Sequence, residues 1–211
     1  MTSPAPEEPL LEFVAVMRRL RAECPWKREQ THRSLARYLQ EETSETVEAI
    51  DSGDADHLRE ELGDLLLQVY FHAVIAEELA EFTLDDVARG IADKMRRRNP
   101  HVFDSDAATG LSAAEVNAQW QAIKRGERLH RLDDRGDLSP YDGIAVTLPA
   151  LLLATKIVER RPEAATGLPS AGDREADLGD RLLALVGEAV ASGVDPEQSL
   201  RDAVRRAVAG R

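Results

Sequence analysis

The densest group of potentially reactive side chains in this sequence is a run of carboxylates that begins at Glu41 and ends at Asp64. The run holds ten acidic residues in 24 positions. Two pairs within it, Glu42 with Glu45 and Glu61 with Asp64, are each three residues apart. Residues at that spacing share one face of a helix, so each pair would place two carboxylates side by side. Clusters of carboxylate oxygens are the ligands that hard cations such as Mg²⁺ and Mn²⁺ prefer.

These two pairs are symmetric about Gly53, which is a predicted turn residue between two helices. Glu42 and Asp64 each lie eleven residues from Gly53, and Glu45 and Glu61 each lie eight. If the flanking helices form an antiparallel hairpin, the four carboxylates meet at two levels, about 4.5 Å of helix rise apart. Such a cluster would repel itself and raise its own pKa values unless a cation were present. The spacing therefore predicts a divalent-cation site.

Two other interpretations of the acidic run are possible. A solvated acidic helix face is common in acidic proteins, but here apolar residues flank both carboxylate pairs. A ferritin-like di-iron centre would need Glu-x-x-His pairs on two helices. One such pair, Glu29 with His32, straddles a predicted helix start. We interpret His57 and His72 as surface or packing residues rather than ligands.

A second group of interest is basic and lies where a helix is predicted to end. It consists of Lys94, Arg96, Arg97 and Arg98. Cations in a last helical turn favour the helix macrodipole, which is one sufficient explanation. Lys94 and Arg98 are also four residues apart, a spacing suited to holding two oxygens of one phosphate chain. Trp120 and Lys124 have the same spacing, and core packing and stacking on a base are equally good interpretations of Trp120.

Composition limits the classes of function that these groups could serve. The chain has 211 residues, with 39 Asp and Glu against 27 Lys and Arg, and a net charge of −12. This charge argues against general binding to nucleic acid or to an anionic membrane. No apolar run approaches the roughly 20 residues of a membrane span. Cys24 is the only cysteine, so no intrachain disulfide is possible and we expect a cytoplasmic protein.

The same composition predicts an all-α fold, because Ala and Leu are abundant and aromatic residues make up only 4%. Helical periodicity begins at about residues 10, 31, 55, 83, 112, 148, 173 and 196. Residues 61–67 recur at 177–183 with five of seven identities. We interpret this echo as the trace of a degenerate duplication.

The carboxylate motifs resemble those of a known family. The segments Glu41-Glu42-Thr43-Ser44-Glu45 and Glu61-Leu62-Gly63-Asp64 resemble the EExxE…ExxD motif of all-α nucleoside triphosphate pyrophosphohydrolases, and more closely that of MazG proteins. The resemblance covers about residues 10–128 and extends weakly beyond them. Further segments that fit are Cys24-Pro25-Trp26, Glu29-Gln30-Thr31, Leu65 to Gln68, Lys94 with Arg97-Arg98, Pro100-His101-Val102-Phe103 and Trp120-Gln121-Ala122-Ile123-Lys124.

This resemblance implies a helical bundle completed by dimerisation or by higher homo-oligomerisation. It also implies Mg²⁺, with Mn²⁺ as a substitute, and cleavage of nucleoside triphosphates into a monophosphate and pyrophosphate. The implied metal ligands are Glu42, Glu45, Glu61 and Asp64. Glu41 would orient or deprotonate water. Substrate contacts would come from Lys94, Arg97, Arg98, Trp120 and Lys124.

The domain organisation expected from these motifs has four parts. They are a disordered tail (1–9), a MazG-like catalytic domain (10–128), a linker (129–147) and a degenerate second repeat (148–211). The second repeat keeps Asp177 and Asp180 but has no Glu-x-x-Glu upstream, so we expect it to be non-catalytic. In the family an Asp commonly follows Cys-Pro-Trp, and here Lys27 takes its place. This departure leaves open which contacts hold the segment between the first two predicted helices.

Three functions are compatible with this sequence. The first is a broad housekeeping nucleotide pyrophosphohydrolase. The second is a relative specialised for one nucleotide, such as dUTP or an oxidised triphosphate. The third is an acidic helical interaction protein without enzymatic activity.

Overall fold

A computed structural model describes residues 8–104, 110–133, 143–166 and 174–209. For residues 128–133, 174 and 209 it describes the backbone only. Among these residues there are helices and no strands, which confirms the all-α prediction. The helices are α1 (Pro9–Glu23), α2 (Pro25–Glu29), α3 (His32–Ser52), α4 (Ala55–Glu78), α5 (Leu84–Arg98), α6 (Pro100–Phe103), α7 (Ala113–Asp133), α8 (Ala150–Arg160), α9 (Arg174–Ala191) and α10 (Pro196–Ala209), with a 3₁₀ turn at Pro162–Ala165. None of the described helices is long and apolar enough to cross a membrane.

The chain divides into two compact units, Met1–Lys124 and Arg125–Arg211. In the first unit, α3 and α4 pack along each other as a hairpin, and α1 packs against α4. Their shared faces form one core, because the apolar residues of each helix recur at helical spacing. Its buried members are Val14, Met17, Leu35, Tyr70, Phe71, Val74 and Ile75.

The hairpin that carries the carboxylates has well-defined helix ends. Thr31 caps α3 through a reciprocal capping box with Ser34. Gly53 ends α3 with φ of 73°, a left-handed conformation that glycine adopts without the steric cost of a Cβ. The side chain of Asp54 then accepts hydrogen bonds from the first backbone N–H groups of α4. The turn predicted at Gly53 is therefore confirmed.

The connector after α1 is more ordered than the sequence indicated, since it contains the short helix α2. The guanidinium of Arg21, which is 9% exposed, holds this connector in place. It donates hydrogen bonds to the backbone carbonyls of Lys27, Arg28 and Gln30, and it pairs with the carboxylate of Glu78. One buried cation thus joins α1, the connector and α4.

Three element boundaries differ from the predicted ones. Helix α1 begins at Pro9, within the predicted tail, because proline is well suited to a first helical position. Helix α4 ends at Glu78 rather than near Glu81, because Ala80 adopts φ of 56°. Helix α7 continues to Asp133, into the predicted linker, since one glycine inside a helix costs only about 1 kcal/mol. Residues 1–7 of the tail and 134–142 of the linker lie outside the described residues.

The second unit has a small core of its own, formed by α8, the 3₁₀ turn and α9. Its buried residues are Val158, Ala165 and Val186. Gly187 permits close approach here, because a Cβ at this position would lie 2.6 Å from that of Ala165. Helix α9 carries the repeated segment with Asp177 and Asp180.

Candidate functional site

The centre of the candidate site is fixed by a polar contact between the two helices of the hairpin. Thr46 on α3 is 7% exposed. Its hydroxyl donates to the backbone carbonyl of Glu42 at 2.7 Å, and it lies 3.4 Å from the carbonyl oxygen of Glu61 on α4. The small threonine side chain lets the two backbones approach each other. This contact sets the helices side by side at the level of the carboxylates.

Three of the four carboxylates predicted to bind metal meet at this level. Glu42, Glu45 and Glu61 each offer one oxygen, and these oxygens lie within 4.8 Å of one another. Glu42 and Glu61 are half-buried, whereas Glu45 is exposed. Asp64 is half-buried but lies outside this group of three. Its side chain is one methylene shorter than that of glutamate, so its oxygens reach less far from α4.

The pKa of Glu42 reflects the electrostatic environment of the carboxylate cluster. Its pKa is raised, first because burial penalises the charged form and then because Asp64, Glu45 and Glu61 repel it. A hydrogen bond from Gln68 partly opposes this effect. Asp64 is therefore close enough to act on the cluster, although its oxygens lie outside the group of three. All four predicted ligands interact through charge at one place on the hairpin.

The carboxylate of Glu61 has a contact at one of its oxygens and no partner at the other. Its side chain is 12% exposed, and its Oε1 lies 3.3 Å from Nε2 of His57, one helical turn earlier. Its Oε2 is buried and has no hydrogen-bond partner. An unpartnered buried carboxylate oxygen is costly in a folded protein and calls for a cationic or hydrogen-bonding ligand.

The interpretation of His57 as a surface or packing residue is therefore incomplete, because this imidazole contacts a predicted metal ligand. His72 is buried in part and packs against His32, with ring centroids 5.0 Å apart and Nδ1 atoms 2.7 Å apart. Burial, and then the charge of His32, lower the pKa of His72. His32 follows Thr31 at the start of α3, so the Glu29–His32 pair does straddle a helix boundary.

The predicted nucleotide residues form a second group at the end of α5 and on α7. The guanidinium carbon of Arg98 lies 5.1 Å from the ring centroid of Trp120. Nζ of Lys124 lies at the same distance from that ring. Both contacts are cation–π interactions. The structure thus brings together three of the five predicted substrate contacts.

Lys94 and Arg97 are exposed side chains in the last turns of α5, near Arg98 in sequence. Glu41 is exposed on α3 and lies outside the group of three carboxylates. Its charge acts instead on Arg37, one turn earlier. The proximity of Glu41 to Glu42 in sequence therefore does not place its carboxylate in the same group.

The contacts of Lys27 resolve the question raised by this departure from the family pattern. Its Nζ lies 5.6 Å from the ring centroid of Trp26 and 5.2 Å from that of Phe71. The lysine thus packs against aromatic rings, one of them in the core, and its backbone carbonyl accepts a hydrogen bond from Arg21. The connector is held without the acidic residue that is common at this position.

Comparison with known proteins assigns the chain to a family. A family model described as the MazG nucleotide pyrophosphohydrolase domain matches residues 30–103. A Thermotoga maritima protein named nucleoside triphosphate pyrophosphohydrolase/pyrophosphatase MazG is 38% identical over 220 residues, which cover 93% of this chain and 82% of that protein. The chain belongs to the MazG family. The MazG model contains the whole carboxylate hairpin, α3 and α4, together with α5 and α6.

Other MazG relatives differ in length and in how well they are described. An uncharacterised 26.1 kDa protein of Streptomyces cacaoi is 43% identical over 196 residues, covering 92% of this chain and 77% of that protein. The chain spans just over half the length of several other curated relatives. Among solved structures, a MazG-related protein from Thermotoga maritima has a TM-score of 0.46 and 26% identity, covering 56% of this chain and 97% of that one.

Proposed function

We propose that this MazG chain hydrolyses nucleoside triphosphates to a nucleoside monophosphate and pyrophosphate, with Mg²⁺ as cofactor and Mn²⁺ as a substitute. The observation that carries the proposal is the convergence of Glu42, Glu45 and Glu61, one of which, Glu61, has a buried oxygen without a hydrogen-bond partner. The printed name of the Thermotoga maritima relative gives the same activity for that protein.

The residues of the cluster fit a hard divalent cation. All of the candidate ligands are carboxylates, the donor type that Mg²⁺ and Mn²⁺ prefer. Burial, and then repulsion from neighbouring carboxylates, raise the pKa of Glu42, and a cation would relieve that repulsion. The orphaned Oε2 of Glu61 lacks only a positive partner. Glu42, Glu45 and Glu61 would hold the cation, with Asp64 as a fourth ligand or as a charge behind them.

When bound, Mg²⁺ would neutralise the triphosphate and acidify a water molecule. The chain's own residues would perform the remaining tasks. Arg98 and Lys124 would contact phosphate oxygens and stabilise the charge that develops as the bond between the α- and β-phosphates breaks. Both cations lie against the ring of Trp120, which would contact the nucleotide. Lys94 and Arg97 would add positive charge from the same end of α5, and Glu41 would orient or deprotonate the attacking water.

We also propose that the site belongs to the first unit alone. Among the described residues, the only group of three carboxylate, cysteine or histidine ligands is the one at Glu42, Glu45 and Glu61. Asp177 and Asp180 on α9 therefore belong to no such group among the residues that the structure describes. On this proposal residues 10–128 form the catalytic domain, and residues 148–211 form a degenerate repeat.

A second copy of the chain is the proposed partner of the first unit. Helix α5 contributes no buried residue to the unit. Its apolar side chains Val87, Ile91 and Met95 are between 37% and 49% exposed. These residues recur at helical spacing, so they form a stripe that a homodimer or higher homo-oligomer would cover. We expect a cytoplasmic enzyme with no nucleic-acid or membrane partner.

The test is release of pyrophosphate from a panel of ribo- and deoxynucleoside triphosphates that includes dUTP and an oxidised triphosphate, with and without Mg²⁺. Activity across the panel that requires Mg²⁺ would support a broad pyrophosphohydrolase. Activity on one member alone would assign a specialised enzyme. Inactivity on every substrate, in a folded protein with Mg²⁺ present, would leave the non-enzymatic interaction protein.

A further inference from the structure

Gln68 is a buried amide next to the carboxylate cluster. It is 4% exposed, the lowest value among the buried polar side chains of the described residues. It follows Asp64 by four residues and Glu61 by seven, so the three side chains lie along one face of α4. Its position extends the polar face of the site into the core of the first unit.

The amide of Gln68 can be oriented from its one described partner. Nε2 lies 3.4 Å from Oε1 of Glu42, and an ionised carboxylate only accepts hydrogen bonds. The NH₂ group must therefore face Glu42. The other end of the amide, Oε1 of Gln68, is buried and has no partner.

Packing alone does not explain an amide at this position. A methionine or leucine would fill a similar volume without leaving a buried oxygen unsatisfied. The amide therefore adds a structural cost that its single hydrogen bond to Glu42 has to offset. That hydrogen bond crosses from α4 to α3 and ends on a carboxylate of the cluster.

We infer that Gln68 is a positioning residue of the cation site. Its NH₂ group fixes Oε1 of Glu42 and so sets the direction in which this carboxylate meets the cation. The inference rests on the proposed function, because it takes the carboxylates to be metal ligands. Side chains that orient metal ligands commonly change metal affinity by about 10- to 100-fold when they are replaced.

The experiment is a titration of the full chain with Mn²⁺, with free Mn²⁺ measured by electron paramagnetic resonance, on wild type, Gln68→Met and Tyr70→Phe. Tyr70→Phe is the matched control: this residue is 5% exposed on the same helix, and its hydroxyl donates to the carbonyl of Leu10, away from the carboxylates. We expect Gln68→Met to weaken Mn²⁺ binding about 10-fold. Its metal-free thermal midpoint should be unchanged or raised.

Tyr70→Phe should show the opposite pattern, a lower thermal midpoint and unchanged Mn²⁺ binding. In turnover assays, Gln68→Met should need about 10-fold more Mg²⁺ for half-maximal rate and should approach the wild-type kcat at saturating Mg²⁺. Gln68→Leu provides the same comparison if the methionine variant does not fold. Wild-type affinity in a folded Gln68 variant would overturn the positioning role while leaving the proposed function in place. A wild-type chain that binds no Mn²⁺ would overturn the metal site itself and this inference with it.

Discussion

Nε2 of His57 lies 3.3 Å from Oε1 of Glu61, one helical turn along α4. The imidazole therefore occupies one oxygen of a carboxylate whose other oxygen is buried and unpartnered. A carboxylate that is held at one oxygen presents its other oxygen in a defined direction. Less conformational entropy is then lost when a cation binds to it. His57 supports Glu61 from the same helix, whereas Gln68 supports Glu42 across the hairpin.

His57→Ala should therefore weaken Mn²⁺ binding and raise the Mg²⁺ concentration needed for half-maximal turnover by about 10-fold. The thermal midpoint should change little, because His57 is 39% exposed at its side chain. Arg59→Ala, two residues away on the same helix, is the control, since its ion pair with Asp56 is exposed on both sides. Equal Mg²⁺ requirements in the two variants would contradict a role for His57 at the site.

Glu42→Gln should abolish turnover and leave the protein folded, because it removes a ligand and relieves repulsion at once. The size of its effect on the free energy of unfolding depends on pH. The pKa of Glu42 is raised in the folded state, so the folded chain loses stability relative to the unfolded chain as pH rises through that value. The variant should therefore be more stable than metal-free wild type at neutral pH. The difference should vanish below the ordinary value of 4.5, where both states are protonated.

Chemical denaturation between pH 4 and pH 8 without metal measures this difference. Glu60→Gln is a matched control, since Glu60 is an exposed glutamate on α4 outside the group of three. A Glu42→Gln variant that is less stable than wild type at neutral pH would show that Glu42 has a structural role.

Comparing Asp64→Asn with Asp180→Asn tests whether activity depends on the first unit alone. Asp64 acts electrostatically on the carboxylate cluster, whereas Asp180 lies on α9 in the second unit. We expect Asp64→Asn to reduce kcat/KM by at least 100-fold, about 2.7 kcal/mol of transition-state stabilisation. Asp180→Asn should stay within about 2-fold of wild type. A comparable loss in both would contradict the proposal that the second unit is non-catalytic.

The pairing of Arg21 with Glu78 predicts a different pH dependence. Hydrogen bonds from Arg21 lower the pKa of Glu78 below its ordinary value of 4.5. A lowered pKa contributes stability above the ordinary value, and this contribution is lost as pH falls through the lowered value. Glu78→Gln should therefore destabilise the protein at neutral pH, and its denaturation midpoint should converge on that of wild type in acid. A gap that persists unchanged at low pH would mean that packing, rather than charge, is responsible.

Trp120→Leu should raise KM for the nucleotide by about 5- to 160-fold, because stacking of a base on an aromatic ring is worth about 1–3 kcal/mol. The variant keeps an apolar side chain near Arg98 and Lys124 but removes the flat ring. Trp26→Leu is the control, since Trp26 is 49% exposed and packs edge-on against Tyr38 instead. Initial rates at varied nucleotide concentration give KM for the two variants. Equal KM values would contradict the proposal that Trp120 contacts the nucleotide.

The hairpin was predictable from the sequence because its determinants are local. The symmetry of the two carboxylate pairs about Gly53, and the capping side chains at Thr31 and Asp54, are readable one helical turn at a time. The contact of Arg98 with Trp120 was harder to predict, because it joins residues of α5 and α7 that are 22 positions apart in the sequence.

Gln68 and His57 were missed for a different reason. Their roles depend on which side chains are buried and which oxygen of a carboxylate they meet, and these are properties of packing. Asp64 illustrates the same limit. Its spacing matches that of a ligand, yet the reach of its shorter side chain leaves it outside the group of three. Two signals were available, the resemblance of residues 65–68 to the family and the position of Gln68 on the face defined by Glu61 and Asp64, and neither specifies the carboxylate that Gln68 contacts.

The left-handed turn at Gly53 leaves only Gly53 and Asp54 between the two helices. Every carboxylate is therefore located by its residue count from that turn. One residue added on either side would rotate the following helix by about 100° and advance it by about 1.5 Å, carrying one pair of carboxylates away from the other. The length of this turn is thus part of the proposed metal site, and in this hairpin an insertion should be a more severe change than most substitutions.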